Sequence, residues 1–368
     1  MRYVTVKLRR SRARAAATFS AVIDLRSDTA TKPSEGMRTA MASAEVGDEQ
    51  KREDPTVLEL ERQAAELLGQ EDAVYLPTAS MANQIACRIL TEPGDELLAE
   101  EHAHILLSEQ GGPAVHSGLV TRPIRTVAGR FSGEDVRALM RDRTSMHMAR
   151  TRLVAVENTH NSSGGRCWRI DELDDVVTTA RELDLKLHLD GARLLNAATA
   201  TGIAPAEYGR RFDTVTLCLS KGLGCPLGAV LATSAELAWK ARRGKHLMGG
   251  AMRQAGIVAA AGVYALEHNV ERLADDHARA RRLGEALHEA GVPVDLEQVE
   301  TNFVQVDVEP LGLTRAEAMA RMKGAGVLLS TTVWPTKLRA VTHLDVDDDD
   351  IDAAIDAIPR ALEALARV

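Results

Sequence analysis

The chain has 368 residues, 45% of them hydrophobic and 27% charged, with a formal net charge of −8. That length can bury a large core and exceeds one ordinary domain, so two are expected. The negative balance argues against a nucleic-acid partner, and the apolar run over residues 257–266 is too short to span a bilayer.

Residues 1–20 are basic and lack acids, which reads as a mobile tail or an upstream start; folded character begins at Ala21. Pro33 opens a helix over residues 34–44, with Met37 and Met41 on one face. Residues 47–55 form a charged loop. Thr56 caps a second helix over residues 57–68, which Gly69 stops. A strand over residues 73–76 runs into Pro77-Thr-Ala-Ser-Met-Ala-Asn-Gln84 and a helix to Leu90. Strand, small-residue turn and helix offer free N–H groups to an anion, with hydroxyls from Thr78 and Ser80; a plain tight turn looks the same.

Further strands are expected over residues 94–100, 120–124 and 153–156. The last ends in the polar run Glu157-Asn-Thr-His-Asn-Ser-Ser-Gly-Gly165. A helix over residues 171–183 leads to a strand ending at Asp190. A buried strand over residues 215–219 then delivers Ser220 and Lys221 into a loop holding Gly222, Gly224 and Gly228. A second apolar run follows over residues 229–232. This alternation indicates an α/β fold with a mostly parallel sheet covered on both faces. Functional polar groups gather at strand carboxyl ends, where Glu157, Asp190 and Lys221 fall.

A long helical pattern occupies residues 254–287, bent near Asn269. A strand over residues 303–308, a helix over 314–323, strands over 327–329 and 338–342 and a helix over 349–366 complete a smaller α+β part. The expected division is residues 21–265 and 266–368. The cysteines Cys87, Cys167, Cys218 and Cys225 show no metal-type spacing, and no metal is expected. Cys218 and Cys225 read as buried free thiols, and a cytoplasmic location fits.

A lysine at the end of a core strand is poorly solvated. Burial favours its neutral amine, the form that attacks carbonyls, and glycines let backbone approach something bulky. A lone Ser-Lys-Gly is most often a surface element, and a lone Asp-Gly a turn. Strand-Asp and strand-Ser-Lys together are what a pyridoxal phosphate enzyme needs. The carboxylate keeps the pyridine nitrogen protonated and the lysine carries the aldehyde.

From about Ile23 onward the chain resembles the low-specificity L-threonine aldolases, fold type I (aspartate-aminotransferase-like) pyridoxal phosphate enzymes. The resemblance rests on Asp24-Leu-Arg-Ser-Asp-Thr29, Glu53-Asp-Pro-Thr56, Glu157-Asn-Thr-His-Asn161, His188-Leu-Asp-Gly-Ala-Arg193, Cys218-Leu-Ser-Lys-Gly222, Met252-Arg-Gln-Ala-Gly256 and Val341-Thr-His343. It implies that Lys221, beside Ser220, binds pyridoxal 5'-phosphate and that Asp190 pairs with the ring nitrogen. His104 stacks on the ring near the substrate hydroxyl. Ala79 and Ser80 lie where the phosphate binds, with Arg253 reaching it from a neighbouring subunit. Ser27, Arg193 and Arg339 hold the substrate carboxylate, and His147 is a second histidine of the pocket.

The implied reaction is retro-aldol cleavage of L-threonine, L-allo-threonine or a related β-hydroxy-α-amino acid by a homotetramer. His104, His147 or a water they hold is the base. Gln50-Lys51-Arg52 stands where the family carries Val-Tyr-Gly, and alanines at Ala79, Ala82 and Ala251 stand for glycines. A rival is a β-eliminating lyase, or an aldolase for a bulkier or acidic substrate; Lys51 and Arg52 motivate the acidic version. A pyridoxal phosphate-binding protein without turnover is the reading outside catalysis.

Overall fold

The apolar runs form strands, and the computed structural model describes them within residues 22–363; the tail expected over residues 1–20 lies outside. In chain order the strands are Ile23–Asp24 (β1), Asp72–Leu76 (β2), Glu96–Glu100 (β3), Val120–Ile124 (β4), Thr151–Glu157 (β5) and Lys186–Gly191 (β6). Thr214–Cys218 (β7), Ala229–Thr233 (β8), Phe303–Asp307 (β9), Val327–Leu328 (β10), Ser330–Thr331 (β11) and Lys337–Val341 (β12) follow. Seven of them make one sheet in the order β2-β8-β7-β6-β5-β3-β4. Only β8 runs against its neighbours β2 and β7; the other pairings are parallel. Every residue of β3, β7 and β8 is buried, as coverage on both faces requires.

Local chemistry sets the helix ends. Ser34 caps the helix Glu35–Ala42, so the start falls one residue after the expected one. Asp54, rather than Thr56, caps the helix Pro55–Leu68: its carboxylate accepts the Val57 N–H at 3.0 Å. Pro55 fills the first turn, where no N–H is required, and the Thr56 hydroxyl donates to the Glu45 carbonyl instead. The helical pattern over residues 254–287 divides into Gly256–His268 and Leu273–Glu289. Asn269 ends the first and donates to the Leu223 carbonyl at 2.8 Å, tying this break to the lysine loop. The helix Ala235–Leu247 is not legible in the apolar pattern, because it buries only Ala238, Ala241, Gly244 and Lys245.

A second core forms around β9, β10, β12 and the helices Leu273–Glu289, Arg315–Gly324 and Asp348–Glu363. Ile23 and Leu25 join it, and the Val341 N–H donates to the Leu25 carbonyl at 2.9 Å. The N-terminal segment therefore packs with the C-terminal part. β11, β12 and β9 make an antiparallel sheet there, and β1 pairs with β10 in parallel. All four cysteines are free and buried. No helix among the described residues is long and apolar enough to cross a membrane.

Candidate active site

β5, β6 and β7 are neighbours, and register aligns their ends: Glu157 pairs with Asp190, and Asp190 with Thr216. Lys221 follows just beyond β7. Its loop is closed by backbone bonds from Gly224 N–H to the Lys221 carbonyl (2.8 Å) and from Leu219 N–H to the Gly228 carbonyl (3.0 Å). Gly228 has φ +113, and a Cβ there would meet the Tyr75 ring at 2.8 Å. The close approach that requires glycine is thus to the protein's own aromatic ring. Lys221 is half-buried, more open than its position after a core strand suggested.

Asp190 is buried, and both its oxygens accept: Oδ1 from the Ala192 N–H (3.1 Å), Oδ2 from the Asn83 amide (2.8 Å). Asn83 also donates to Glu109 Oε1 at 2.8 Å. Glu109 in turn accepts His104 Nδ1 at 2.9 Å and the Gln84 amide at 2.5 Å. The Glu109 bond outweighs burial and raises His104 above the ordinary histidine value, with Asp190 and Glu157 adding to the effect. The His104 backbone N–H donates to Glu157 Oε2 (2.6 Å), and Glu157 Oε1 accepts the Asn161 N–H (2.9 Å).

The helix Ala79–Leu90 begins beside this group. Thr78 caps it by accepting the Met81 N–H, so the amides of Ala79 and Ser80 are free of helical partners. Ser80, Gln84, Ser108, Glu109 and Met248 are among the residues lining a cleft of about 520 Å³. A helix N-terminus opening onto a cleft accommodates an anion.

A second polar group joins the N-terminal segment to β12. Arg193 is buried and forms a two-point bridge to Asp28, with both distances 2.7 Å. Burial alone would raise the Asp28 carboxyl. The charge and hydrogen bonds of Arg193, with help from Lys221 and Arg339, hold it well below the usual carboxylate range. Arg339 has no carboxylate partner among the described residues; it donates to Asn161 Oδ1 (2.9 Å) and Ser330 Oγ (3.2 Å). Burial and then repulsion from Arg193 bring its guanidinium down to about 10, still charged at neutral pH. The two guanidiniums lie 4.9 and 5.0 Å from the Phe303 ring centre. Ser27 caps the short turn that begins at Asp28.

Lys221, Asp190, His104, Arg193, Arg339 and Ser27 thus gather at the carboxyl edge of the sheet. Ser220 sits on the lysine loop, its hydroxyl 3.5 Å from the Cys218 sulfur. His147 and Arg253 are not brought in by this chain. His147 is exposed, and Arg253 pairs with Asp48 at 3.3 Å. Lys51 and Arg52, which motivated the acidic-substrate rival, are likewise not brought to this group by the chain itself. Lys51 is exposed, and Arg52 turns onto buried Glu61 at 3.0 Å. Arg52 stands at φ 59, ψ 39, the left-handed region where glycine is favoured.

Asn83, Glu109, Asp28 and Asn161 complete the site, and sequence reasoning gave none of them a role. Asn83 and Gln84 had a signal, as adjacent polar residues in the middle of a mostly apolar helix. Asp28 had one in its place between Ser27 and Thr29. Pairing Asn83 with Asp190, 107 residues away, requires the fold.

Residues 24–309 match the family described as Beta-eliminating lyase. The Low specificity L-threonine aldolase of Escherichia coli (strain K12) is 41% identical over 331 residues, 90% of this chain and 96% of that protein. The Probable low-specificity L-threonine aldolase 2 of Arabidopsis thaliana is 38% identical over 335 residues, 90% of this chain and 94% of that one. A solved threonine aldolase structure from Leishmania major has a TM-score of 0.79 at 20% identity. It covers 92% of this chain and 99% of its own, a likeness of fold. The α/β architecture is the fold type I arrangement that the motifs implied. By sequence over most of its length, the chain belongs to the beta-eliminating lyase family.

Proposed function

We propose that the protein cleaves L-threonine, L-allo-threonine or a related β-hydroxy-α-amino acid to glycine and an aldehyde, using pyridoxal 5'-phosphate. The observation that carries this reading is the gathering of an amine, a hydrogen-bonded carboxylate and an oriented histidine on one sheet edge, beside an arginine free of carboxylates. The donor set suits the cofactor: Lys221 for its aldehyde, Asp190 for its ring nitrogen, and the Ala79 and Ser80 amides for its phosphate. When bound, the cofactor supplies an electron sink for the pair released from the Cα–Cβ bond.

The remaining work falls to the chain's own residues. Arg339 holds the substrate carboxylate, flanked by Arg193 and Ser27, so that the Cα–Cβ bond is the one aligned to break. Asp190 keeps the proton on the ring nitrogen. His104 Nε2 takes the β-hydroxyl proton, directly or through a water. His147 enters only from the resemblance, as the second histidine, and Arg253 as a phosphate contact from a neighbouring subunit. The same reading keeps a cofactor-holding part over residues 21–265 and a smaller part over 266–368, with Ile23 and Leu25 crossing to the latter. It also implies a cytoplasmic homotetramer built from dimers; a fully active monomer by sedimentation would contradict that.

The reading favouring acidic substrates loses its motive within the chain, because Arg52 is turned onto Glu61. The deciding assay incubates the protein and pyridoxal phosphate with a panel of β-hydroxy amino acids, measuring glycine, aldehyde and 2-oxo acid together. Equimolar glycine and aldehyde support retro-aldol cleavage. A 2-oxo acid that keeps the substrate's carbon skeleton, with ammonia, in their place identifies β-elimination, and a bound cofactor with no product identifies a carrier.

A further inference from the structure

We infer that Glu109 and Asn83 are positioning residues that join His104 and Asp190 into one hydrogen-bonded unit, which fixes the histidine with Nε2 outward. The catalytic meaning of this unit rests on the proposed function; its geometry does not.

The hydrogen positions follow by elimination. A carboxylate only accepts, so the 2.9 Å contact from His104 Nδ1 to Glu109 puts the proton on Nδ1 and leaves Nε2 for transfer. The Asn83 amide faces two carboxylates at 2.8 Å each. Reversing it would set its carbonyl against both, so its NH2 group points at them. Its oxygen then accepts from His188 Nε2 at 3.1 Å, and His188 Nδ1 accepts the Thr214 hydroxyl at 2.8 Å. Burial lowers His188 to about 4, so the ring is neutral, and it is this that makes the Thr214 hydroxyl the donor to Nδ1.

Asn83, Glu109, Asp190 and His188 are all buried, and buried polar groups with every partner in place are rigid. Polar atoms of His104, Glu109 and Asp190 lie within 4.8 Å of one another. The Asn83 amide donates one hydrogen to each carboxylate and so bridges them. Glu109, Asp190 and Glu157 are the charged groups acting on His104.

The test uses the full-length protein with nitrogen-15 histidine, free of cofactor, and a His104→Gln variant to assign the signal. Wild type is expected to show the Nδ1–H tautomer and a titration midpoint above about 6.5. Glu109→Gln keeps an acceptor but removes the charge, so the tautomer stays while the midpoint falls by about 1 pH unit. Glu109→Leu mixes the tautomers. If Glu109→Leu does not fold, the isosteric Glu109→Gln decides the matter alone. The same tautomer and midpoint in wild type and Glu109→Gln would overturn the inference. With cofactor and threonine, the acid limb of kcat/KM should move to lower pH in Glu109→Gln, a shift that a merely structural role would not produce. Asn83→Leu should weaken pyridoxal phosphate binding, read by fluorescence, by about tenfold; unchanged affinity would count against the shared amide. If wild type takes up no pyridoxal phosphate, the proposed function fails while the histidine titration still decides this inference.

Discussion

Two regions of the molecule are dense in charge, and they use it in opposite ways. In the outer one, Glu61 accepts from Arg52 and Arg242 at 3.0 Å each and from the Tyr75 N–H at 2.9 Å. Arg242 also holds Asp72 at 2.8 Å, and buried Lys245 pairs with Glu49 at 2.5 Å. Glu49, Arg52, Glu61, Arg242 and Lys245 are among the residues that line a cavity of only about 40 Å³ there. In the inner region Lys221 and Arg339 have no ion-pair partner among the described residues, and His104 presents a free Nε2. Charge density alone therefore does not mark a site. The mark is bonding capacity that the protein itself leaves unused, held in place by partners that have none to spare.

The sharpest way to break this contrast is Lys221→Ala. The absorbance of the lysine-bound cofactor should vanish and cleavage fall by at least about a thousandfold, since the nucleophile is gone. Near-normal turnover would remove the amine from the mechanism. Next in size is Arg193→Ala, which strands Asp28 as a buried charge and should cost about 3–5 kcal/mol in chemical denaturation. In wild type the Asp28 carboxyl is depressed on folding. Its contribution is therefore complete above about pH 4, the unfolded value, and is lost only as acid carries the pH below the ordinary carboxylate range. Arg339→Ala should do the reverse of Arg193→Ala: little change in denaturation midpoint, but a loss of kcat/KM worth about 1.5–3 kcal/mol, carried mostly by KM. Equal stability losses in the two variants would erase the distinction between a paired and an unpaired arginine. The smallest effect is expected for Arg52→Gly. Losing a half-exposed ion pair and relieving a left-handed backbone are each worth at most about 1 kcal/mol and oppose one another. The ratio of activities on threonine and on a β-hydroxy substrate with a distal carboxylate should not move; a tenfold change would return Arg52 to substrate selection.

The sheet was legible because most of its strands are short, apolar-rich runs followed by polar residues, as at Asp190 near the end of β6 and at Ser220 and Lys221 just beyond β7. Helix ends were less so. Asp54 and Thr56 are both good caps, and only the packed loop around Glu45 decides between them. The helix Ala235–Leu247 stayed hidden because small residues and the stem of Lys245 make its buried face, leaving no apolar period to read. In the site, side chains delivered by one motif each could be named from their strands. Asn83, Glu109 and Asp28 work by touching residues from other elements, and no local pattern encodes a partner that distant.

Glu157 accepts backbone N–H groups from two separate loops, one carrying His104 and the other Asn161, on which Arg339 rests. One rigid carboxylate thus works as a gauge, fixing the spacing between the imidazole proposed to accept the proton and the guanidinium proposed to grip the substrate's acid end. Such a gauge measures the invariant part of an amino acid, from carboxylate to β-oxygen, and takes no measure of what lies beyond. Tolerance toward the rest of the substrate can then coexist with a tightly built centre, and a change in range need touch only the rim.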